Sequence, residues 1–174
     1  LKIYSNQILN IYKDKIIDLS NDFSVSTNFI ECPVELKKRI KKYSSILKKE
    51  FDHYSEVNFD EPFRIFLSLV FHRLDYFQQN YKGYQAFSEF IEDMEIFQTS
   101  VKKVFGRNFT ISKLDNFIYY VKQFEFHGVS LDIRQNSSVI NQKKGKVYKD
   151  FIELIKQIPE LQDLYGNKVF SSII

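Results

Sequence analysis

Residues 128–137, Gly128-Val129-Ser130-Leu131-Asp132-Ile133-Arg134-Gln135-Asn136-Ser137, decide how this chain is read. Upstream, apolar residues recur at helical spacing. Here Val129, Leu131 and Ile133 alternate with Ser130, Asp132 and Arg134, so the period falls from about 3.6 to about 2 and a short strand is predicted. Residues two apart on a strand share a face, which puts Asp132 and Arg134 together where the strand ends. If that face is buried, the two charges must be paired or must hold something charged. Arginine's planar fork suits a phosphate or carboxylate; a structural salt bridge between the two is the competing reading. A single strand leaves its backbone N–H and C=O groups without partners. With no second strand legible, the mates are expected to lie outside this sequence. In a β/α barrel, ligands gather at the C-terminal ends of strands, and Arg134 stands at such an end.

Working outward, the rest reads as helix. Leu1, Tyr4, Ile8, Ile11, Tyr12, Ile16 and Leu19 predict a first helix over residues 1 to 19. Ser20-Asn21-Asp22 breaks it. Pro33 suits the first turn of a second helix with Leu36, Ile40, Tyr43 and Leu47 inward and lysines outward. Residues 50–59 read as a polar connection. Asp60 as N-cap, Glu61 in the first turn and Pro62 open a third helix carrying Phe63, Phe66, Leu67, Val70, Leu74 and Phe77; Tyr81-Lys82-Gly83 ends it. A fourth helix is predicted from Tyr84 to Phe105 and closed by Gly106, which tolerates positive φ. A fifth starts at Ser112, where Ser112 and Asp115 make a capping pattern. Beyond the strand, a basic loop leads to a helix from Val147 to Gln157 ended by Pro159, then a short helical piece from Glu160 to Tyr165.

The 174 residues support one domain, 1–174, with a real core. With 18 Phe, 11 Tyr and no Trp, that core should be Phe-rich with Tyr at its margins. The net charge is +3. The basic clusters Lys37-Lys38-Arg39 with Lys41-Lys42, and Lys143-Lys144 with Lys146, read as solvated surfaces rather than a nucleic-acid patch. One cysteine, Cys32, excludes a disulfide within the chain and fits a reducing cytoplasm. No signal peptide is legible, and no apolar run approaches the roughly 18 residues that span a bilayer. The first residue is Leu, so the chain was processed or cut from something longer.

Candidate chemistry is sparse. His53, His72 and His127 have no zinc-ligand spacing and are expected to be structural or superficial. Cys32 has no histidine partner and reads as packing. Five glycines leave little room for a phosphate-cradling loop. Glu92, Asp93 and Glu95 read as the wet face of an amphipathic helix. Glu61 and Arg64 are three apart, and Arg64, Ser68 and His72 follow at steps of four; the pair reads as a surface ion pair.

Leu131-Asp132-Ile133-Arg134-Gln135-Asn136-Ser137 closely resembles the signature Leu-Asp-Ile-Arg-Gln-(Glu/Asn)-Ser of phosphoenolpyruvate carboxylases. Val121-Lys122-Gln123-Phe124-Glu125-Phe126-His127 is similar to that family's approach to the signature. Glu61-Pro62-Phe63-Arg64, with Leu67 and Arg73-Leu74, resembles a second block, and Leu19-Ser20 to Ser26 with Pro33, Glu35 and Leu36 a weaker third. The likeness covers about residues 12 to 141 in the family's order.

The resemblance implies a mainly α chain: the helical portion plus one strand of an α/β barrel, in an enzyme several times longer. Such enzymes join phosphoenolpyruvate and bicarbonate to give oxaloacetate and phosphate, use Mg²⁺ or Mn²⁺, and are usually homotetramers. It implies that Arg134 binds the phosphate of phosphoenolpyruvate, with Asp132 and Gln135 in support. There are departures: Ile140 stands where the family often has histidine, and Glu125 replaces a common glycine. The family's catalytic histidine, metal carboxylates and mobile loop have no counterpart here. No catalytic residue and no metal ligand are therefore assigned within 1–174. The expectation is an inactive piece of a cytoplasmic enzyme that binds no metal or nucleic acid by itself and packs against the rest of its own polypeptide through apolar surface. A stand-alone helical interaction module, or more remotely a basic nucleic-acid-binding protein, is the alternative.

Overall fold

The computed structural model describes residues 1–79, 83–106 and 109–173. Its helical stripes fall where the periodicity puts them. Helix α1 (Lys2–Asp22) buries Leu9, Tyr12, Ile16 and Leu19. It lies along α4 (Pro62–Gln78), whose Phe63, Phe66, Leu67, Val70 and Leu74 are buried. Pro62 opens α4 at a position whose N–H has no helical partner in any case. Around α4 pack α2 (Val34–Ile46), α3 (Lys48–Val57) and α5 (Phe87–Phe105), and α6 (Phe109–Phe124) rests on α5 and α1. Phenylalanines interlock at the centre: the Phe66 and Phe97 rings stack at 5.9 Å, and Phe23 and Phe63 meet Phe97 edge-on.

Tyrosines stand at the margins, as at Tyr4, Tyr119 and Tyr120, but also at the centre. Tyr12, Tyr43 and Tyr84 are among the largest fully buried side chains. Each hydroxyl finds an acceptor inside, which removes the cost of burying it.

Several boundaries differ from the sequence reading. Residues 50–59 are largely helix, α3, with Leu47 between it and α2. Asp60 does not cap α4: its carboxylate accepts from Ser26 and Asn28, and Glu61 holds the N-cap position. Helix α5 begins at Phe87, because Tyr84 turns into the core. Helix α6 begins at Phe109, and Asp115 accepts from Gln98 and Lys102 instead of capping. Helix α4 is closed by Gln79; Tyr81 and Lys82 lie outside the described residues. Pro159 does not end a helix. It sits within α8 (Lys146–Tyr165), which joins both predicted C-terminal pieces.

Strand β1 (Leu131–Ile133) forms as predicted, but its mate is in this chain. Strand β2 (Phe170–Ile173) runs parallel to it, with Leu131 opposite Phe170 and Asp132 opposite Ser172. The connection passes through α7 (Ser137–Gln142), α8 and one 3₁₀ turn (Asn167–Val169). Parallel neighbours need such a crossover. Phe170-Ser171-Ser172-Ile173 is too short for its period to be read. Among the described residues no helix is long and apolar enough to cross a membrane.

Candidate functional site

The site grows from the end of α6. Glu125 has φ +46° and Gly128 φ +72°, two left-handed residues that swing the chain from helix into strand. Gly128 meets that demand without a side chain. At Glu125 the same conformation costs about 1–2 kcal/mol. Its environment offsets this. The Glu125 N–H bonds the Val121 carbonyl, and its own carbonyl accepts the Tyr12 hydroxyl at 2.8 Å. The side chain is buried and accepts the Lys168 N–H at 2.8 Å. Its Oε2 lies 3.5 Å from Nε2 of the buried His127, whose pKa is held below the ordinary histidine value chiefly by burial.

From this turn β1 carries Ile133 inward, while Asp132 and Arg134 face outward together. Their side chains are 42% and 69% exposed, so their charges are not forced together by burial. Arg134 Nη2 donates to Asp132 Oδ2 at 2.9 Å, and Asp132 also accepts from Ser171 of β2. An exposed pair of this kind adds about 0–1 kcal/mol. One donor of a five-donor fork is used on Asp132. Gln135 does not join them: its side-chain oxygen accepts the Asn136 N–H at 2.9 Å. Asn136 in turn caps α7, accepting from the Ser138 N–H. The strand end therefore presents a guanidinium at the C-terminal edge of a parallel βαβ unit.

The other candidates separate. Glu61 accepts from Ser24 and Arg64, and Ser68 donates to the Arg64 carbonyl one turn earlier. His72 pairs with the Tyr54 hydroxyl at 3.2 Å and, half-buried, is also held below its ordinary pKa by burial. His53 packs edge-on against Tyr54. Burial pushes the Cys32 thiol up, away from the reactive thiolate.

Of the acids of α5, Glu92 and Glu95 face solvent as the sequence reading expects, and Asp93 does not. Asp93 is fully buried. It accepts from the Tyr43 hydroxyl at 2.6 Å, the Tyr84 hydroxyl at 2.7 Å and Arg73 at 3.2 Å, with Arg39 at 3.3 Å. Arg73 continues to Glu89 and Arg39 to Glu92. The signal was available: Asp93 lies three residues after Phe90 and four before Phe97, squarely on the apolar stripe. This cluster ties α2, α4 and α5 together with its hydrogen-bonding groups mutually occupied. Among the described residues no three His, Cys, Asp or Glu side chains converge as a metal site, so the donor set does not fit the divalent cation implied by the resemblance.

Helices packed beside a parallel βαβ unit, with an arginine at the strand's C-terminal end, define a mainly helical chain with one α/β element. The sequence profile described as phosphoenolpyruvate carboxylase matches residues 1–163, and the chain belongs to that family. It is 26% identical over 133 residues to a phosphoenolpyruvate carboxylase of Xanthomonas euvesicatoria pv. vesicatoria, covering 76% of this chain and 15% of the relative. It is 24% identical over 164 residues to that of Nostoc sp., with 86% and 16% covered. For that of Synechococcus sp. the figures are 27% over 174 residues, 88% and 16%. The chain thus spans 15–16% of the length of these curated relatives. No solved structure matches it.

Proposed function

We propose that this chain is a segment of a phosphoenolpyruvate carboxylase subunit, one that supplies part of the phosphate-binding edge of the active site and none of the reacting groups. The observation that carries this reading is the position of Arg134: just beyond the C-terminal end of a parallel strand, exposed, with one contact to Asp132. That is where α/β barrels place their ligands. In the complete enzyme, which joins phosphoenolpyruvate and bicarbonate to form oxaloacetate and phosphate, Arg134 makes charge-assisted hydrogen bonds to the phosphoryl oxygens. Asp132 orients the guanidinium from its own strand. Gln135, bonded to the Asn136 N–H, shapes the turn.

The remaining chemistry falls to the rest of the polypeptide: the Mg²⁺ or Mn²⁺ ligands, the base and the loop that excludes water. Residues 1–174 behave as a single helical unit of a larger barrel subunit, in a cytoplasmic homotetramer. In support, α1 and α6 leave an open groove of about 1010 Å³ between them, lined by Ile8, Ile11, Phe117, Tyr120 and Phe124. An apolar surface of that kind is suited to cover by other parts of a subunit.

The test is Arg134→Ala in the full-length enzyme, with initial rates measured against phosphoenolpyruvate and against bicarbonate. Removing a bidentate phosphate ligand should lower kcat/KM for phosphoenolpyruvate by roughly 100-fold, a loss of about 2.7 kcal/mol. The thermal midpoint should stay within about 2 °C, because an exposed pair is lost. Unchanged kinetics would overturn the reading. Separately, the isolated 1–174 chain should release no phosphate from the two substrates.

A further inference from the structure

The strand that carries Arg134 is held at its far end by an unusual side chain. Glu125 occupies a left-handed turn position, is 6% exposed, and points its carboxylate across the chain to the segment that begins β2. There Lys168 donates its backbone N–H to Glu125 Oε2 at 2.8 Å. Gly166 makes room: any Cβ at that residue would overlap the Glu125 carboxylate. The same two segments are cross-linked around it. Phe126 N–H donates to the Tyr165 carbonyl at 2.8 Å, Ser130 Oγ to the Lys168 carbonyl at 2.6 Å, and Lys168 Nζ to the Lys122 carbonyl at 2.7 Å. Of these links, the one from Glu125 is made by a buried carboxyl side chain packed on a glycine.

We propose that Glu125 is a positioning residue for Arg134: its buried carboxylate, seated on Gly166 and accepting the Lys168 N–H, clamps the start of β2 to the turn that launches β1, and so fixes the strand end from which Arg134 projects. The proposal rests on the reading of Arg134 as a phosphate ligand. A three-residue strand with a single described mate is marginal alone, so its direction depends on links of this kind between the turn and the segment before β2. A displacement of about 1 Å at a ligand-binding arginine is enough to weaken its contacts sharply.

Three variants of the full-length enzyme test it, with Arg134→Ala beside them. Glu125→Gly removes the clamp and also relieves the left-handed backbone, so the fold is retained. It should raise KM for phosphoenolpyruvate 5- to 20-fold while kcat changes less than twofold. Hydrogen exchange at 131–133 and 168–173 should accelerate at least 10-fold. Glu125→Ala should match it in KM. Glu125→Gln keeps an acceptor for the Lys168 N–H and should keep KM within twofold of the parent. A merely structural role would lower thermal stability without this split between KM and kcat or this rescue. If Glu125→Gly leaves KM and exchange unchanged while Arg134→Ala cripples substrate use, the clamp is refuted and the phosphate-ligand reading stands. If Arg134→Ala has no effect on KM, both fall.

Discussion

The Arg73 guanidinium lies over the ring of Tyr84, 3.8 Å from its centroid, while the Tyr84 hydroxyl donates to the same Asp93 carboxylate that Arg73 reaches. Charge, ring and acid thus close a triangle inside the helical body. Removing the acid leaves two arginines, 73 and 39, partly buried beside groups that no longer balance them. Asp93→Ala should therefore cost about 3–5 kcal/mol, whereas Tyr43→Phe, which deletes one donor, should cost about 1–3 kcal/mol. Urea denaturation of both variants measures the difference, and a cost below 1 kcal/mol for Asp93→Ala would show the cluster to be superfluous.

His72 and His127 both have pKa values lowered in the fold, chiefly by burial. The unfolded chain therefore binds their protons more tightly than the folded one. Their neutral forms are compatible with full stability above about pH 6.5, and stability is lost as pH falls through that value toward the folded pKa. Denaturant midpoints at pH 7.5 and pH 5.5 should differ in that sense, and His127→Gln should flatten the slope. Equal slopes for parent and variant would exclude His127 as a source.

Gly83 follows α4 so closely that a Cβ there would overlap the Phe77 nitrogen and the Arg73 carbonyl oxygen, both backbone atoms. Neither can rotate aside. Gly83→Ala should destabilise by about 1–3 kcal/mol through forced backbone movement, read as a lower thermal midpoint. A neutral effect would mean that the chain after α4 can shift as a unit.

Pro159 sits inside α8. It has no N–H to give the Ile155 carbonyl, and a helix-interior proline costs up to about 3 kcal/mol relative to alanine. Pro159→Ala should raise the thermal midpoint, by an amount set by how much of α8 unfolds with the rest. A fall would show that the fixed backbone angle of Pro159 contributes to bringing β2 beside β1.

The parts legible in the sequence are those whose burial is periodic. The apolar stripes of α1, α4, α5 and α6 announce themselves because each buries one face. Helix α3 was read as a connection because no residue in it is fully buried, so it carries no stripe. Strand β2 escaped because four residues hold too little alternation to register, and that error made β1 look mateless. The place of Arg134 at a strand end, on the same face as Asp132, was legible from the alternation of residues 129–134. Asp93 was read as solvent-facing because its neighbours Glu92 and Glu95 are, and its partners Arg39 and Tyr43 lie 54 and 50 positions away, where only the fold brings them near. The cost of placing glutamate at a left-handed position was likewise invisible until the backbone was known.

The Tyr12 hydroxyl bond to the Glu125 carbonyl spans 113 positions. During synthesis, α1 leaves the ribosome long before the residue that completes its packing exists. At about 5–20 residues per second, the wait is roughly 6–20 s. Through that interval the Tyr12 hydroxyl has no Glu125 carbonyl to donate to. The first helix can settle along α4 well before then, but its buried hydroxyl gains its acceptor only when Glu125 arrives, so one polar group of the core is satisfied last.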